Sequence, residues 1–289
     1  MSTAVAQATL NIPTETIEEA RVIGVQSQFI FEDLALKRNI KTNSYIYTIL
    51  TPPVEAGSHT ENNTISATAL AWTNGSITTA PAAFRAQLSK KAETTMVRDG
   101  LMDCLIACMR SIGLKLDDDL LTLAGSMTGN LGGGVNEEFT VSFLMEKLAA
   151  FGGRCRYAPK MAAVLHSDAY RDLVADMAAN GGGLLSSAWG PALATALTAD
   201  NVATLGKKGS VHNCDIYVSD RIPASGLGWA NMFTVVDQVE AGVGMAFTTE
   251  PQYWQEFDPI QACTNLVGYV DFGVGILDQN RCAYAVSRT

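Results

Sequence analysis

The sequence predicts an α+β fold in which a long helix divides an extended N-terminal part from a mixed helix-and-strand remainder. Three observations predict it. Residues 42–84 hold no Lys or Arg and read as strands around a loop rich in Pro, Gly and Asn. Val97, Leu101, Cys104, Leu105, Cys108, Met109, Ile112 and Leu116 then recur with the helical period, marking one face of a long amphipathic helix. From residue 264 the period drops to two, with Leu266, Gly268, Val270, Phe272, Val274 and Ile276 on one face of a strand.

Residues 1–41 read as an N-terminal arm, with Thr16 and Glu19 at capping-box spacing ahead of residues 20–23. In the stretch that follows, "TNSYIYTIL" (42–50) and "TISATALAW" (64–72) have strand composition, and "TPPVEAGSHTENN" forms the loop between them. With roughly 20 extended residues a side at about 3.3 Å each, such an arm reaches at most roughly 65 Å. A lone hairpin is marginal in water, so this one is expected to lie on a neighbouring molecule.

In the long helix Gly113 is expected to bend or end the run, with "LKLDDDLLTLAG" continuing or restarting it. "NEEFTVSFLMEKLAAFGG" (136–153) predicts another helix stopped near Gly152, and "MAAVLHS" (161–167) a buried strand. "SDAYRDLVADMAANGG" predicts a helix with Ser167 as N-cap and Gly181 past its end. Strands are expected at 211–219, 232–237, 243–248 and 264–276, then "CAYAVS" after the turn "LDQNR". No internal repeat and no flexible linker interrupts this order.

Composition narrows the function classes. Of the 289 residues 47% are hydrophobic and only 17% charged, which leans toward an obligate oligomer. The formal net charge of −9 argues against tight, sequence-independent nucleic-acid binding, which needs cations to neutralise phosphates. Apolar runs are too short and too interrupted for a membrane span, and the first residues lack the pattern of a secretory signal. The cysteines at 104, 108, 155, 214, 263 and 282 show no disulfide-scaffold spacing and read as free thiols of a reducing compartment.

With three histidines and six cysteines, any nucleophilic or metal chemistry has few residues to use. His212 and Cys214 in "SVHNCDIYVSDRIP" would share one face of a strand, the proximity a Cys-His hydrolase needs. No third group nearby orients the base, so the stretch reads as a structural strand. Cys104 and Cys108 stand i, i+4 on the apolar helix face without two further zinc ligands, and read as core residues. "TGNLGGGVNEEF", "LGKKG" and "AGVGMAF" each fall short of a phosphate-binding fingerprint and read as turns or loops. Asp117, Asp118 and Asp119 diverge by about 100° per residue on a helix, so they read as a solvated face or a helix start. No catalytic, cofactor-binding or metal-binding residue is assigned, and the sequence predicts no enzyme.

The order of elements resembles the major capsid protein of tailed bacteriophages, the Hong Kong ninety-seven shell-fold family, from about residue 15 onward. "TNSYIYTIL…TISATALAWTNGSITTAPAAFRAQLS" resembles its extended β-hairpin loop, and "KKAETTMVRDGLMDCLIACMRSIG" its spine helix. "MAAVLHSDAYRDLV" resembles the step into the axial domain, and "GSVHNCDIYVSDRIP" an axial strand ending in Ser-x-x-Ile-Pro. "LVGYVDFGVGILDQNRCAYAVS" resembles the returning peripheral strands.

This phage-capsid shell fold implies an N-terminal arm (1–41), an extended loop (42–84), and a peripheral domain with the spine helix (85–160). It further implies an axial domain (161–262) and returning peripheral strands (263–289). The implied function is a structural subunit that forms pentamers and hexamers of an icosahedral virion head enclosing double-stranded DNA. The implied partners are the chain itself, a separate scaffolding protein, a portal and cement proteins, without membrane or cofactor. The head would be assembled in the host cytoplasm. Residues 42–84 offer no lysine for the cross-link that some family members make through this loop. An encapsulin-like nanocompartment shell and the Cys-His hydrolase are the competing readings.

Overall fold

A computed structural model describes residues 9–11, 29–50, 72–95, 100–134, 136–155, 160–179, 206–211, 213–226, 228–237 and 241–288. The chain runs β1 (Thr9–Asn11), α1 (Ile30–Leu34), β2 (Leu36–Asn39), β3 (Ser44–Leu50), β4 (Trp72–Thr78), β5 (Ala80–Ser89), α2 (Lys90–Thr95) and α3 (Gly100–Thr122). After a 3-10 turn come β6 (Asn130–Gly133), α4 (Val141–Arg154), β7 (Met161–Leu165), α5 (Ser167–Ala179), β8 (Gly206–Val211) and β9 (Cys214–Val218). The last strands are β10 (Ala224–Ser225), β11 (Gly228–Val235), β12 (Val243–Asp258), β13 (Cys263–Ile276) and β14 (Cys282–Arg288).

Two large sheets organise the molecule. In the first, β12 and β13 form a long antiparallel hairpin, β5 pairs with the outer side of β13, and β1 and β2 pair with β12. The second sheet has the order β6-β14-β11-β7-β9-β8, with β10 on β11. Its inner strands β7, β9 and β11 are buried on both faces, and their period-two alternation feeds two separate cores. Ala162, Val164, Tyr217, Met232 and Cys282 face the core shared with α1, α3 and the first sheet. Ala163, Leu165, Ile216, Phe233 and Ala283 face the core covered by α4 and α5. One sheet thus joins the two halves of the molecule.

The long helix forms where the apolar stripe predicts it, and it does not stop at Gly113. That glycine leaves room for a neighbour, because a Cβ there would lie 2.2 Å from the Phe29 ring. Val97 and the capping box at Thr16 and Glu19 fall outside the described residues. In β13, Leu266, Gly268, Val270 and Phe272 are buried and alternate with half-buried residues, the two-residue period of the sequence.

Several expectations shift. The strand opposite β3 is β4, in register Ser44↔Thr78 through Leu50↔Trp72. The strand expected at 64–72 falls outside the described residues except for Trp72. The next strand, β5, has an Ala- and Pro-rich sequence with little strand propensity, and long-range register with β13 imposes the strand. The helix after β7 is capped by His166, not Ser167, because Nδ1 of His166 accepts the N–H of Asp168 at 3.2 Å. Similarly, α4 passes through Gly152 to Arg154, after starting at an N-cap on Thr140 whose hydroxyl accepts the N–H of Phe143 at 3.2 Å.

Strand pairing does not run in blocks along the chain. β12 sits in the sheet of β5 and β13, and β14 joins β11 in the other sheet. Strand β5 crosses position 84 without a break. Among the described residues no helix is long and apolar enough to cross a membrane.

Candidate assembly surface

The described residues of the sequence's candidate sites lie apart from one another, in separate cores, strands and turns. His212 lies outside the described residues. Around it, Val211 pairs with Cys214, so 206–211 and 214–218 are two antiparallel strands rather than the single strand expected at 211–219. Asn213 between them takes φ 62°, as tight connections require. The Cys214 side chain points into the core under α4 and α5 with no exposed surface. Burial first, and the Asp215 charge second, push its thiol up to about 12, so it holds its proton at neutral pH.

Cys104 and Cys108 pack with Leu105, Met109 and Leu266 beneath the long helix, and the Cys108 thiol donates to the Leu266 carbonyl at 3.6 Å. Burial raises both thiols. In the loop 128–139 Gly132 and Gly133 take φ of 84° and 105°, and Gly133 also packs closely, since a Cβ there would overlap the Val286 carbonyl. In "AGVGMAF" the same holds for Gly242 against the Arg281 carbonyl and Gly244 against Leu277. Among the described residues no group of three His, Cys, Asp or Glu could hold a metal ion.

The acidic run behaves differently from its reading as a solvated face. The helix passes straight through it. Asp119 is paired with Lys115 at 2.7 Å and Asp118 with Arg221 at 3.4 Å, both near the surface. Asp117 is buried and accepts the backbone N–H groups of Ile30 at 3.3 Å and Phe31 at 2.7 Å. The sequence held a signal for this. Position 117 stands eight residues after Met109 and four after Gly113, both on the buried face, whereas 118 and 119 rotate away from it.

What the fold does present is a two-stranded hairpin with two large apolar side chains exposed on its outer face. Strands β3 and β4 form a two-stranded sheet of their own. One face is rooted on the first sheet. Ile77, 2% exposed, sits over Gly273 and Gly275 of β13, where added Cβ atoms would come within 3 Å of its side chain. Tyr47 donates its hydroxyl to the Ile276 carbonyl at 2.6 Å, and Gly75 across the pair makes room for its ring. The opposite face carries Ile46 and Trp72, 68% and 62% exposed. Cross-strand register places both on the side away from Ile77, since Ile46 faces Ser76 and Trp72 faces Leu50. A second apolar site stands at the far end of the β12–β13 hairpin, where Ile260 is 94% exposed beside Phe257.

A groove of about 830 Å³ opens between α1, β2, α3 and β12, floored by Phe29, Met109, Phe247 and Tyr253. Its rim carries Glu32, Lys37 and Glu250, and among the described residues its lining includes neither His nor Cys. The arrangement suits packing against protein better than bond-making.

No family model and no curated protein matches the sequence. The chain does share its fold with solved shell proteins over its whole length. The capsid protein of Ralstonia phage GP4 is similar at a TM-score of 0.64, with 10% identity, over 100% of this chain and 93% of that one. The capsid of cyanophage P-SCSP1u gives 0.62 with 13% identity, over 100% and 93%. A virus-like particle from Pyrococcus furiosus gives 0.60 with 9% identity, over 94% and 96%. The chain therefore has the tailed-phage capsid shell fold, α+β with a long helix beside two large sheets.

Proposed function

We propose, taking the capsid shell fold as the premise, that this chain is a structural subunit that self-assembles into a closed icosahedral shell. Pentamers and hexamers of it would build a phage head around double-stranded DNA. The observation that carries the reading is the β3–β4 hairpin, whose outer face leaves Ile46 and Trp72 exposed among the described residues. A subunit bearing a projecting arm on one side and a receiving surface on another makes head-to-tail contacts that close into rings. In this reading the sheet of β7, β9, β11 and β14 serves as the axial domain near the capsomer centre. The long helix with β5, β12 and β13 serves as the peripheral domain. The subunit acts mechanically and has no catalytic residue, metal or cofactor.

A net charge of −9 suits an inner wall that encloses DNA without gripping it. The further partners of this reading are a separate scaffolding protein, a portal and cement proteins, with assembly in the host cytoplasm and residence in the virion. A compartment shell around protein cargo is the second reading, favoured by the likeness to the Pyrococcus furiosus particle.

Negative-stain electron microscopy with size-exclusion chromatography tests the proposal on the expressed chain. Closed shells, or free pentamers and hexamers, are the expected result, and nucleic acid inside native particles separates a head from a protein-filled compartment. A monomer of 30.8 kDa persisting at high concentration overturns the assembly reading. Denaturing gels of the same particles should show single subunits, since residues 42–84 hold no lysine for a covalent weld.

A further inference from the structure

The long helix holds the segment ahead of β2 through a titratable group set in an apolar core. Asp117 is 6% exposed, and its helical neighbours Leu116, Leu120 and Leu121 belong to the core that also takes Ile30, Phe31 and Leu34. Its two carboxyl oxygens accept the first N–H groups of α1. No side chain at Phe29 caps that helix, so Asp117 supplies from 86 residues away what a local N-cap normally supplies. The Phe29 ring packs over Gly113 one helical turn earlier, and Asp33 accepts the Tyr217 hydroxyl at 3.1 Å. Segment 29–35 is thus fastened to the long helix and to β9, and Asp117 is the carboxyl among these contacts that sits in the apolar core.

The surrounding charges do not settle its ionisation in favour of the anion. Arg221 faces it and favours the carboxylate, but Arg221 is already paired with Asp118 at 3.4 Å. Glu32 on α1 opposes the carboxylate. Beyond Asp33 lies Lys160, held by Asp215 at 2.8 Å.

We propose that protonation of Asp117 sets how firmly segment 29–35 is held on the long helix, firmly at pH 5 and more loosely at pH 7.5. Burial outweighs the two N–H donors and lifts the docked carboxyl to about 6, above its ordinary value of 3.8. The docked state therefore binds more protons than the open state between about pH 4 and 6, and its advantage falls as pH rises through that window. Local opening should increase about tenfold from pH 5 to pH 7.5.

Hydrogen exchange on the full chain, corrected for intrinsic rates, tests this at the amides of residues 30–35. Their protection should fall about tenfold between pH 5 and pH 7.5. Amides of β11 in the same molecules should hold constant, and Asp117→Asn should abolish the change. A flat wild-type profile, an equal loss at β11, or the same slope in Asp117→Asn overturns the proposal. Should Asp117→Asn not fold, Arg221→Gln decides. Removing the cation that favours the carboxylate must extend the loss of protection to higher pH, and an unmoved profile overturns the proposal.

Discussion

Asp117 and Cys214 are both buried, and each answers to the same physics with a different outcome. A charge in a low-dielectric core is costly, so each group's proton is held more tightly than in water. For Cys214 this leaves a small apolar side chain beneath α4 and α5. Native chain should therefore react with iodoacetamide at Cys214 on the order of a thousandfold more slowly than unfolded chain at neutral pH, since thiolate is the reacting form. Rapid selective labelling in the folded state would return a nucleophile to this position. For Asp117 two backbone donors offset burial only in part, and the carboxyl becomes a tether for α1 rather than a surface charge. His166 shows the same economy of polar groups: largely buried and stacked on Trp229 at 3.7 Å, it is held below its ordinary pKa, chiefly by desolvation. The neutral ring accepts the Asp168 N–H and starts α5.

The hairpin is the element whose construction bears most on assembly. Its inner face is committed within the subunit through Ile77 and Tyr47, and its outer face is not. Ile46→Asp with Trp72→Asp should therefore abolish shells or lower their yield at least about tenfold while leaving the melting temperature within a few degrees. The reason is that exposed positions contribute little to subunit stability. Normal shells from the double variant would remove this face from the interface. The long helix illustrates how an element can hold a residue that its propensity scale disfavours. Gly113 costs about 1 kcal/mol relative to Ala, yet the Phe29 ring occupies the space a side chain would need.

At the scale of the whole molecule, the two cores meet across the sheet of β7, β9, β11 and β14. In the proposed shell, assembly then depends on the hairpin and its loop. Deleting residues 55–63, between the two hairpin strands, should leave the monomer's cooperative unfolding intact and impair particle formation severalfold or more, read by electron microscopy and calorimetry together. Unchanged particle yield would mean that the loop is dispensable for closure.

The sequence by itself determined the long helix, the alternating strand β13 and the small number of histidines and cysteines. Each of these is written in local period, composition or residue count. It also carried, in the order of its parts, the likeness to a capsid shell. Tertiary structure alone decided that 72–78 pairs with 44–50, that the Ala-rich β5 is a strand, that β12 leaves the sheet of β11, and that β14 leaves the sheet of β13. It also made Asp117 the acid that turns inward. Those outcomes depend on registers and contacts between residues tens to hundreds of positions apart. There the free energy of pairing and burial outweighs local propensity, and no local pattern records which partner wins.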